Sequence, residues 1–512
     1  MLAKVLSSAV IGVDAYVVEV EVDIVRGLPS FAMVGLPEAA VKESKERVRS
    51  AIKNSGFAFP DDRVTVNLAP AHIKKVGTGF DLPIAMGILA ATGVITPERL
   101  RQMLFLGELS LDGRVKGVIG SLPMALAARA AGFPAIVVPH ANRREAAVVS
   151  DVAVYPVDHL ARAVAFVCGE TPIDAQTDDP TPLPPSGTDA GEADFADVKG
   201  QAHAKRALEI AAAGGHNILM VGPPGAGKTM LARRLPSILP PLTFEEAIET
   251  TKIHSVMGLL PNDQALIARR TFRAPHHTTS DAGLIGGGVV PRPGEVSLAH
   301  NGVLFLDELP EYKKQVLEVL RQPLEDGRVT ISRANANLTF PARLMLVAAM
   351  NPCPCGYHGD PGHSCACTPR QIHHYRARIS GPLMDRIDLH IEVPAVPYKE
   401  LLGDSTAEGS AQIRGRVVAA RQIQAQRFGR AKIYCNAQMG TRHIRRYCHL
   451  GAEAREMLDL GMERLGLSAR GLNRMLKLAR TIADLAGAAD IGASHMAEAI
   501  QYRNLDRNAT NV

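Results

Sequence analysis

No stretch of the 512-residue sequence is apolar for long enough to cross a lipid bilayer. The longest apolar run, Pro83 to Ile95, is shorter than the about 20 residues that a membrane-spanning helix needs. The first residues also lack the charged segment and apolar core that are typical of a secretory signal peptide. The sequence therefore predicts a cytoplasmic protein with no membrane partner.

The sequence also lacks an extreme composition, a strong net charge and internal repeats of solenoid length. Hydrophobic residues make up 46% and charged residues 21%, which excludes bulk disorder. The net charge of +5 is too small to indicate a nucleic-acid partner by itself. A chain of 512 residues exceeds what one hydrophobic core supports, so we expect two or three domains.

Composition predicts where these domains begin and end. Residues 1–171 contain segments with the alternation of half-buried strands, such as Val18 to Ile24, and segments with helical periodicity, which indicates a mixed α/β domain. Residues 172–194 hold five prolines and six acids but no Lys or Arg, as in a solvated linker, although a long surface loop has the same composition. Residues 195–398 again favour an α/β fold, and residues 399–512 are mostly helical.

A glycine-rich segment between a predicted strand and a predicted helix is the most specific motif. Its backbone N–H groups can surround phosphate, its lysine can reach the β- and γ-phosphates, and its last hydroxyl can bind Mg²⁺. The helix that follows begins with Met230. The sequence therefore predicts an ATP and Mg²⁺ site built from Gly222, Pro223, Pro224, Gly225, Ala226, Gly227, Lys228 and Thr229.

Two later strands end in polar residues that complete such a site. An apolar run ends in Asp307 and Glu308, where the first carboxylate can hold Mg²⁺ and the second can polarise the attacking water. A further strand runs into Asn351, whose amide could orient that water. Acids and asparagine also end strands for purely structural reasons, and that alternative stays open here.

Four cysteines form two C-x-C pairs separated by nine residues, in a region rich in glycine and proline. In a reducing compartment such a cluster indicates metal before disulfide, and four thiolates suit tetrahedral Zn²⁺. His358 and His363 are spare ligands, and four reduced thiols without metal are the alternative. The candidate zinc ligands are Cys353, Cys355, Cys365 and Cys367.

From Phe195 to about Arg503 the motifs resemble the magnesium-chelatase-like branch of the AAA+ ATPases. Besides the phosphate-binding and acidic motifs, the match includes 197–201, 274–280, 293–300 and 381–388. The resemblance implies that Gly200 and Gln201 lie near the adenine of ATP.

The same resemblance assigns roles to two arginines. It implies that Arg386 is an arginine finger supplied to the next subunit, although a salt bridge with Asp385 or Asp388 is the structural alternative. It also implies that Arg470 opens the second sensor helix, with Arg474 as the rival one turn later.

From Lys74 to His140 the sequence resembles the proteolytic domain of Lon. The positions of the Lon nucleophile and base fall on Gly79 and Pro123, neither of which can do that chemistry, so we expect no peptidase activity. A Lon-like α+β domain, an AAA+ P-loop α/β core and a C-terminal helical lid together resemble the ComM/YifB family. That resemblance implies a hexameric DNA motor that drives branch migration in recombination during natural transformation.

Charge distribution indicates where DNA could bind. Ser410 to Leu450 carries nine Lys or Arg and no acid, and Arg328, Arg333 and Arg343 lie in or beside an apparent hairpin from Glu325 to Pro341. No base-reading motif is evident, so binding to branched or single-stranded DNA should be tolerant of sequence. A solvated basic surface is the alternative for the basic stretch. A metal-chelatase subunit and a purely regulatory AAA+ ATPase are the competing functions.

Overall fold

The computed structural model describes residues 1–176, 193–261, 264–288, 290–333, 336–396, 408–429, 431, 433–465 and 469–503. These residues form two compact units. The first contains the residues that precede the segment 177–192 together with Thr243–Ala268, and the second contains the remainder. Most of the expected linker, 177–192, lies outside the described residues.

The first unit is built on a mixed sheet of seven strands within the described residues. Along the sheet the order is β3-β4-β2-β1-β5-β8-β9. The alternation predicted for Val18 to Ile24 is present in the second strand, where Val18, Val20 and Val22 are buried and Glu19 and Glu21 pair with Lys4. The strands of the sheet are β1 Leu2–Ile11, β2 Asp14–Val25, β3 Ser30–Val34, β4 Arg63–Ala69, β5 Met103–Phe105, β8 Ala135–Pro139 and β9 Ala153–Val157. A separate antiparallel pair consists of β6 Glu108–Leu109 and β7 Val115–Lys116.

Helices cover this sheet and enclose its apolar side chains. The helix that begins at Asp81 is buried along its whole length, since it packs on both long strands of the sheet. The helices are α1 Ala39–Lys42, α2 Ser44–Asn54, α3 Asp81–Ala91, α4 Pro97–Leu100, α5 Ser121–Ala130, α6 Arg143–Ala147 and α7 Leu160–Cys168.

A helix from the middle of the sequence completes the first unit. The helix Phe244–Val256 packs against α5, and its Ser255 hydroxyl donates to the carboxylate of Glu145. That buried carboxylate also accepts from the backbone N–H of Leu122 at 2.9 Å, and Lys252 pairs with Asp14. The sequence division placed this helix within the ATPase domain 195–398, because helical periodicity does not reveal which unit a helix packs against.

The second unit is built on a parallel sheet that has five strands in the part of the chain described. The order is β11-β14-β17-β10-β18. Its inner strands are continuous apolar runs, as expected when both faces of a parallel sheet are covered. The strands are β10 Ile218–Val221, β11 Phe272–Arg273, β14 Val303–Leu306, β17 Met345–Met350 and β18 Leu389–Glu392.

Two hairpins leave this sheet, and helices surround it. The hairpin expected between Glu325 and Pro341 is confirmed. The hairpin strands are β12 Gly286–Gly287, β13 Arg292–Pro293, β15 Arg328–Arg333 and β16 Ala336–Pro341. The helices around the sheet are α8 Ala202–Gly214, α9 Lys228–Ile238, α11 Asp281–Ile285, α12 Glu295–Leu298, α13 Lys314–Glu318, α14 Arg321–Asp326, α15 Pro369–Arg376 and α16 Gly381–Met384. The label α10 belongs to the helix Phe244–Val256 of the first unit.

The C-terminal region is helical, as the sequence predicts, and shares a hydrophobic core with the parallel sheet. Polar contacts reinforce this attachment, for example from Gln424 Nε2 to the carbonyl of Ala213 at 3.0 Å. The helices are α17 Ser410–Phe428, α18 Thr441–Tyr447, α19 Ala452–Leu465, α20 Ala469–Leu485 and α21 Ala493–Gln501. Among the described helices, none is long and apolar enough to span a membrane.

One buried carboxylate ties three segments of this helical region together. Asp484 on α20 is 2% exposed and accepts from Arg427 on α17, from Arg480 on its own helix at 3.0 Å, and from Asn436 at 2.8 Å. Arg480 is itself 1% exposed. Removal of the negative charge of Asp484 would therefore leave the guanidinium groups of Arg427 and Arg480 without their carboxylate partner.

We predict that Asp484→Asn destabilises the second unit by about 3 kcal/mol or more, the usual cost of breaking a buried ion pair on one side. Thermal unfolding followed by far-UV circular dichroism should show an earlier transition. The control is Asp459→Asn on the exposed side of α19, which should change stability by no more than about 0.5 kcal/mol. Equal midpoints for the two variants would contradict this account.

Candidate active site

The glycine-rich segment forms a tight loop at the carboxyl end of β10. Gly222 donates its N–H to the carbonyl of Met350 at 3.2 Å, and a Cβ at Gly222 would lie 2.1 Å from the carbonyl oxygen of Val393. Gly225 and Gly227 have φ of 77° and 86°, which other residues rarely adopt. α9 begins at Lys228, so its first N–H groups face the inside of the loop, where an anion can bind.

Lys228 lies inside this loop. Its ammonium donates to the carbonyls of Gly222 and Pro223 at 2.7 and 2.8 Å, and to Oδ1 of Asn351 at 3.2 Å. Burial lowers the pKa of Lys228, while the charges of Asp307 and Glu308 act in the opposite direction. The ammonium can exchange these oxygens for phosphate oxygens, which are also acceptors.

The predicted magnesium ligands are neighbours. Thr229 follows Lys228 at the start of α9, and its hydroxyl donates to Oδ2 of Asp307 at 2.6 Å. Asp307 directly follows the last residue of β14. A hydroxyl and a carboxylate at this distance fit Mg²⁺, which prefers oxygen ligands and keeps several waters.

Glu308 occupies an unusual backbone conformation beside this pair. Its φ is 52°, its N–H donates to Oδ1 of Asp307 at 3.0 Å, and its carboxylate is 56% exposed. Nδ1 of His277 lies 3.5 Å from that carboxylate. The phenol of Tyr312 donates to the carbonyl of Pro275 at 2.6 Å and so fixes the segment that carries the histidine.

His277 is a neighbour of the site to which the sequence assigned no role. It belongs to 274–280, a motif that enters the sequence analysis only through the family resemblance. The signal that could have identified it is its place shortly after β11, because β11 pairs with β14 and both strands end at the same edge of the sheet.

The segment expected near the adenine lies close to the phosphate-binding loop. Gly200 and Gln201 both have positive φ, of 63° and 55°. The side-chain amide of Gln201 donates to the carbonyl of Pro394 at 2.6 Å and lies 3.5 Å from that of Ala226. Met230 is 37% exposed at the start of α9. These residues therefore lie in one region with the phosphate-binding loop.

The four cysteines converge on one point just beyond Asn351. Their sulfur atoms lie within 4.8 Å of one another. Sγ of Cys353 is 3.3 Å from that of Cys355 and 3.7 Å from that of Cys365. Four sulfurs each about 2.3 Å from one zinc ion lie about 3.8 Å apart, so the cluster matches a tetrahedral site. Of the spare ligands, His363 instead contacts Asp360 at 2.7 Å.

Backbone N–H groups also point at these sulfurs. The N–H of His358 donates to Sγ of Cys353 at 3.3 Å. Hydrogen bonds from the N–H of Tyr357 and from Cys353 lower the pKa of Cys355 to about 6, whereas burial and the neighbouring cysteine sulfurs raise the pKa of Cys367 to about 12. Donors that stabilise thiolates favour metal binding, since the thiolate is the form that ligates.

Comparisons with known proteins agree with this geometry. Family models described as magnesium chelatase subunit ChlI, subunit ChlI of Mg-chelatase, and the C-terminal part of that subunit match residues 194–401, 20–142 and 407–503. The sequence is 47% identical over 510 residues to competence protein ComM of Haemophilus influenzae, covering 99% of this chain and 98% of that protein. It is 45% identical over 511 residues to YifB of Salmonella typhimurium, with the same coverage.

The chain belongs to the ComM/YifB family.

Membership makes the chain an AAA+ ATPase of the magnesium-chelatase-like branch. Lon protease 2 of Bacillus subtilis is 32% identical over 154 residues, covering 27% of this chain and 26% of that protein, and supports the Lon-like part of the fold. Gly79 and Pro123 occupy the Lon nucleophile and base positions, and the absence of peptidase activity stays a prediction.

The arginine to which the magnesium-chelatase-like resemblance gives a finger role is bound within its own subunit. Arg386 is 7% exposed, pairs with the carboxylate of Glu325, and donates to the carbonyls of Pro382 and Arg321 at 2.7 and 3.2 Å. Its partner is therefore neither of the two aspartates that the sequence suggested. A finger role requires Arg386 to exchange Glu325 for phosphate oxygens at an interface between subunits.

The two sensor candidates differ in what they contact. Arg474 donates to Oδ1 of Asp388 at 2.9 Å, and Asp388 also accepts from the backbone N–H of Asn217 at 3.1 Å. Arg470 is exposed one turn earlier on α20. Since Arg474 is engaged in holding Asp388, Arg470 is the candidate that can turn toward a bound nucleotide.

The basic stretch is in part a packing feature. Arg416 pairs with Glu209 and Glu408, and Arg427 pairs with Asp484. Arg421 donates to two backbone carbonyls. The charge of 410–450 is therefore only partly available to DNA, because acids elsewhere in the sequence neutralise Arg416 and Arg427. Among the described residues of the stretch, α18 carries three exposed arginines, Arg442, Arg445 and Arg446.

The site makes a direct prediction for nucleotide turnover. Lys228→Ala should abolish ATP binding, because the ammonium is the main cation in the loop. Glu308→Gln should bind ATP normally but hydrolyse it about 100 to 10,000 times more slowly, the usual loss when a general base is removed. Fluorescent-nucleotide titration and phosphate release measure the two quantities.

Glu311→Gln is the matched control, since this exposed acid follows Glu308 by one turn and pairs with Arg378 instead. It should retain turnover. Undiminished hydrolysis in Glu308→Gln would falsify the assignment of the water-activating carboxylate.

Proposed function

We propose that the chain is an ATP-driven DNA motor, a hexameric branch-migration helicase that acts in recombination during natural transformation. The observation that carries the proposal is the near full-length similarity to a protein named for competence, which is the ability of bacteria to take up DNA. The complete ATP site described above supports the engine of such a motor. Exposed arginines on a hairpin and on a helix of the same unit support its DNA contacts.

In this proposal, ATP hydrolysis depends on groups at one edge of the parallel sheet. Lys228 would hold the β- and γ-phosphates, and Thr229 with Asp307 would hold Mg²⁺, which would supply positive charge beside the phosphates. Glu308 accepts the proton of the attacking water, and Asn351 orients that water. The distances of 2.6 Å from Thr229 to Asp307 and 3.2 Å from Lys228 to Asn351 support a preorganised arrangement.

We further propose that each active site is completed by the neighbouring subunit. Arg386 lies on the 381–388 motif, and Asn217, the residue before β10, donates its side-chain N–H to the carbonyl of Arg386 at 2.9 Å. This contact positions the backbone of the finger segment even when its guanidinium leaves Glu325. An incoming guanidinium would stabilise charge on the transferred phosphoryl group. Arg470 would act from within the same subunit as the second sensor.

The interface proposal predicts complementation between two inactive proteins. Arg386→Ala alone should hydrolyse ATP about 1,000-fold more slowly or worse, the usual contribution of an arginine finger. Mixed with Glu308→Gln, it should recover part of the activity, because some interfaces then pair an intact finger with an intact acid. Phosphate release from mixtures at several ratios measures this effect.

The control is Arg378→Ala, which removes an exposed arginine that pairs with Glu311. It should stay active without a partner. A fully active Arg386→Ala protein would remove this residue from the mechanism, and two inactive proteins that never complement would argue against shared sites.

The proposed DNA contacts lie on two exposed elements. On β15, Arg328 and Arg333 are exposed, and the hydroxyls of Thr330 and Thr339 lie side by side on an exposed face of the hairpin. The short helix α18 presents the exposed arginines identified above. Contacts of this kind reach the phosphate backbone, so binding should tolerate any sequence and weaken as salt rises.

We also propose that the four cysteines hold one Zn²⁺. The sulfur spacing and the N–H donors toward Cys353 and Cys355 support it. The alternative of four reduced thiols places sulfurs together without an ion to hold them.

A metal-chelatase subunit is the second candidate function, favoured by the descriptions of the three family models. It would use the same ATP site to drive insertion of an ion into a tetrapyrrole together with partner chains. The two functions differ in whether DNA is bound and remodelled.

DNA binding is tested with a synthetic four-way junction. Replacement of the three exposed arginines of α18 (Arg442, Arg445 and Arg446) by alanine should weaken binding and reduce the slope of log affinity against log salt by about 2 to 3, since each lost phosphate contact removes about 0.9 from the slope. The control replaces three exposed cations of the first unit, Arg26, Lys42 and Lys53, and so removes the same net charge.

Equal salt slopes in the two triple variants would argue that α18 does not face DNA. With ATP, the unaltered protein should also separate the junction into forked duplexes, and Glu308→Gln should bind the junction without separating it. Failure to bind forks, junctions or single strands at low salt would favour the chelatase or regulatory function.

A further inference from the structure

The cysteine cluster is continuous with the nucleotide site. Its first ligand, Cys353, follows Asn351 by two residues, and Asn351 accepts a hydrogen bond from Lys228. One residue earlier, the carbonyl of Met350 accepts the N–H of Gly222 at 3.2 Å. Two adjacent residues that lead into the cluster therefore contact the phosphate-binding loop.

A third contact comes from within the cluster. Gly356 has a φ of 89°, and a Cβ built there would lie 2.6 Å from Cδ and 2.7 Å from Cγ of Pro224. The backbone of the cysteine loop therefore lies directly against a proline ring of the phosphate-binding loop. A side chain at Gly356 could fit only if one of the two loops moved.

Apolar packing does little to hold this loop in place, and the contacts of Asp360 with Gly362 and His363 lie within the loop itself. Between Pro354 and Cys367 most residues are exposed, and the only buried one is a glycine. Hydrophobic burial therefore contributes almost nothing to the position of the loop. A bound ion would join the pair Cys353 and Cys355 to the pair Cys365 and Cys367 and close the loop, as structural zinc does in small domains.

We propose that metal at the cysteine cluster sets the position of the phosphate-binding loop and of Asn351, so that nucleotide binding and turnover depend on the cluster being loaded. The inference rests on the proposed nucleotide and zinc sites and adds a dependence between them. Gly356 is a positioning residue in this account, because it touches neither ATP nor metal and acts through Pro224.

The first experiment removes the metal. The full-length protein, purified without chelator, should contain about one zinc per chain. Removal of the zinc with a strong chelator, followed by removal of the chelator and assay with Mg²⁺ present, should weaken the binding of fluorescent ATP at least tenfold and stop turnover, and added zinc should restore both. Zinc content is measured separately by elemental analysis, so failure of the metal site and failure of the coupling give different results.

The second experiment keeps all four cysteines and disturbs only the contact. Gly356→Ala should retain zinc but bind fluorescent ATP at least tenfold more weakly, because its Cβ collides with the ring of Pro224. Gly359→Ala is the matched control: its φ is 80°, close to that of Gly356, yet a Cβ there meets no atom within 4 Å. It carries the same backbone strain without the collision, and should bind ATP normally.

A third variant separates the contact from a general loss of folding. In a protein that already carries Pro224→Ala, the added Gly356→Ala should change nucleotide affinity little, because the ring that it would strike is gone. This dependence of one substitution on the other is not expected if Gly356→Ala simply unfolds the loop.

Each outcome decides the proposal. If removal of the zinc changes neither nucleotide affinity nor turnover, the proposed coupling is wrong, while the assignment of the metal site still holds. Equal nucleotide affinity in Gly356→Ala and Gly359→Ala would also overturn the coupling. A protein that never contains metal would overturn both the coupling and the zinc site, while leaving the ATPase assignment to its own tests.

Discussion

The arrangement of the site depends on the parallel register of three strands, β10, β14 and β17. Val221 pairs with Met350, and Leu306 pairs with Ala348, so the three strands end at the same edge of the sheet. The phosphate-binding loop, the two acids and Asn351 all begin where these strands stop. A parallel sheet covered on both faces has little freedom to shift, because a slip of one residue would move apolar side chains out of the core.

Local motifs made the centre of the site predictable. The glycine loop and the two acids after β14 have chemistry that demands those residue types, so their roles could be inferred without a structure. Contacts between distant segments could not be inferred in this way. The approach of His277 to Glu308 and that of Gly356 to Pro224 depend on how loops pack, which leaves no periodic signal in sequence. The same is true of α10, whose sequence indicates a helix but not the unit that it completes.

Charge counts proved less informative than motifs. The stretch 410–450 has no acid of its own, but Glu209, Glu408 and Asp484 lie outside it and neutralise Arg416 and Arg427. A sequence window cannot show neutralisation by residues that are remote along the chain. The exposed arginines of α18 and of the β15 hairpin are therefore better candidates for DNA than the total charge of the stretch.

Coupling of ATP hydrolysis to DNA is the central proposal for this chain, and one measurement tests that coupling most directly. Steady-state ATP hydrolysis should be followed at low salt with and without a four-way junction, with Glu308→Gln protein as the blank. The account predicts that the junction raises the rate of hydrolysis and that rising salt removes the stimulation. A rate that no junction, fork or single strand changes, in a protein that hydrolyses ATP, would contradict it.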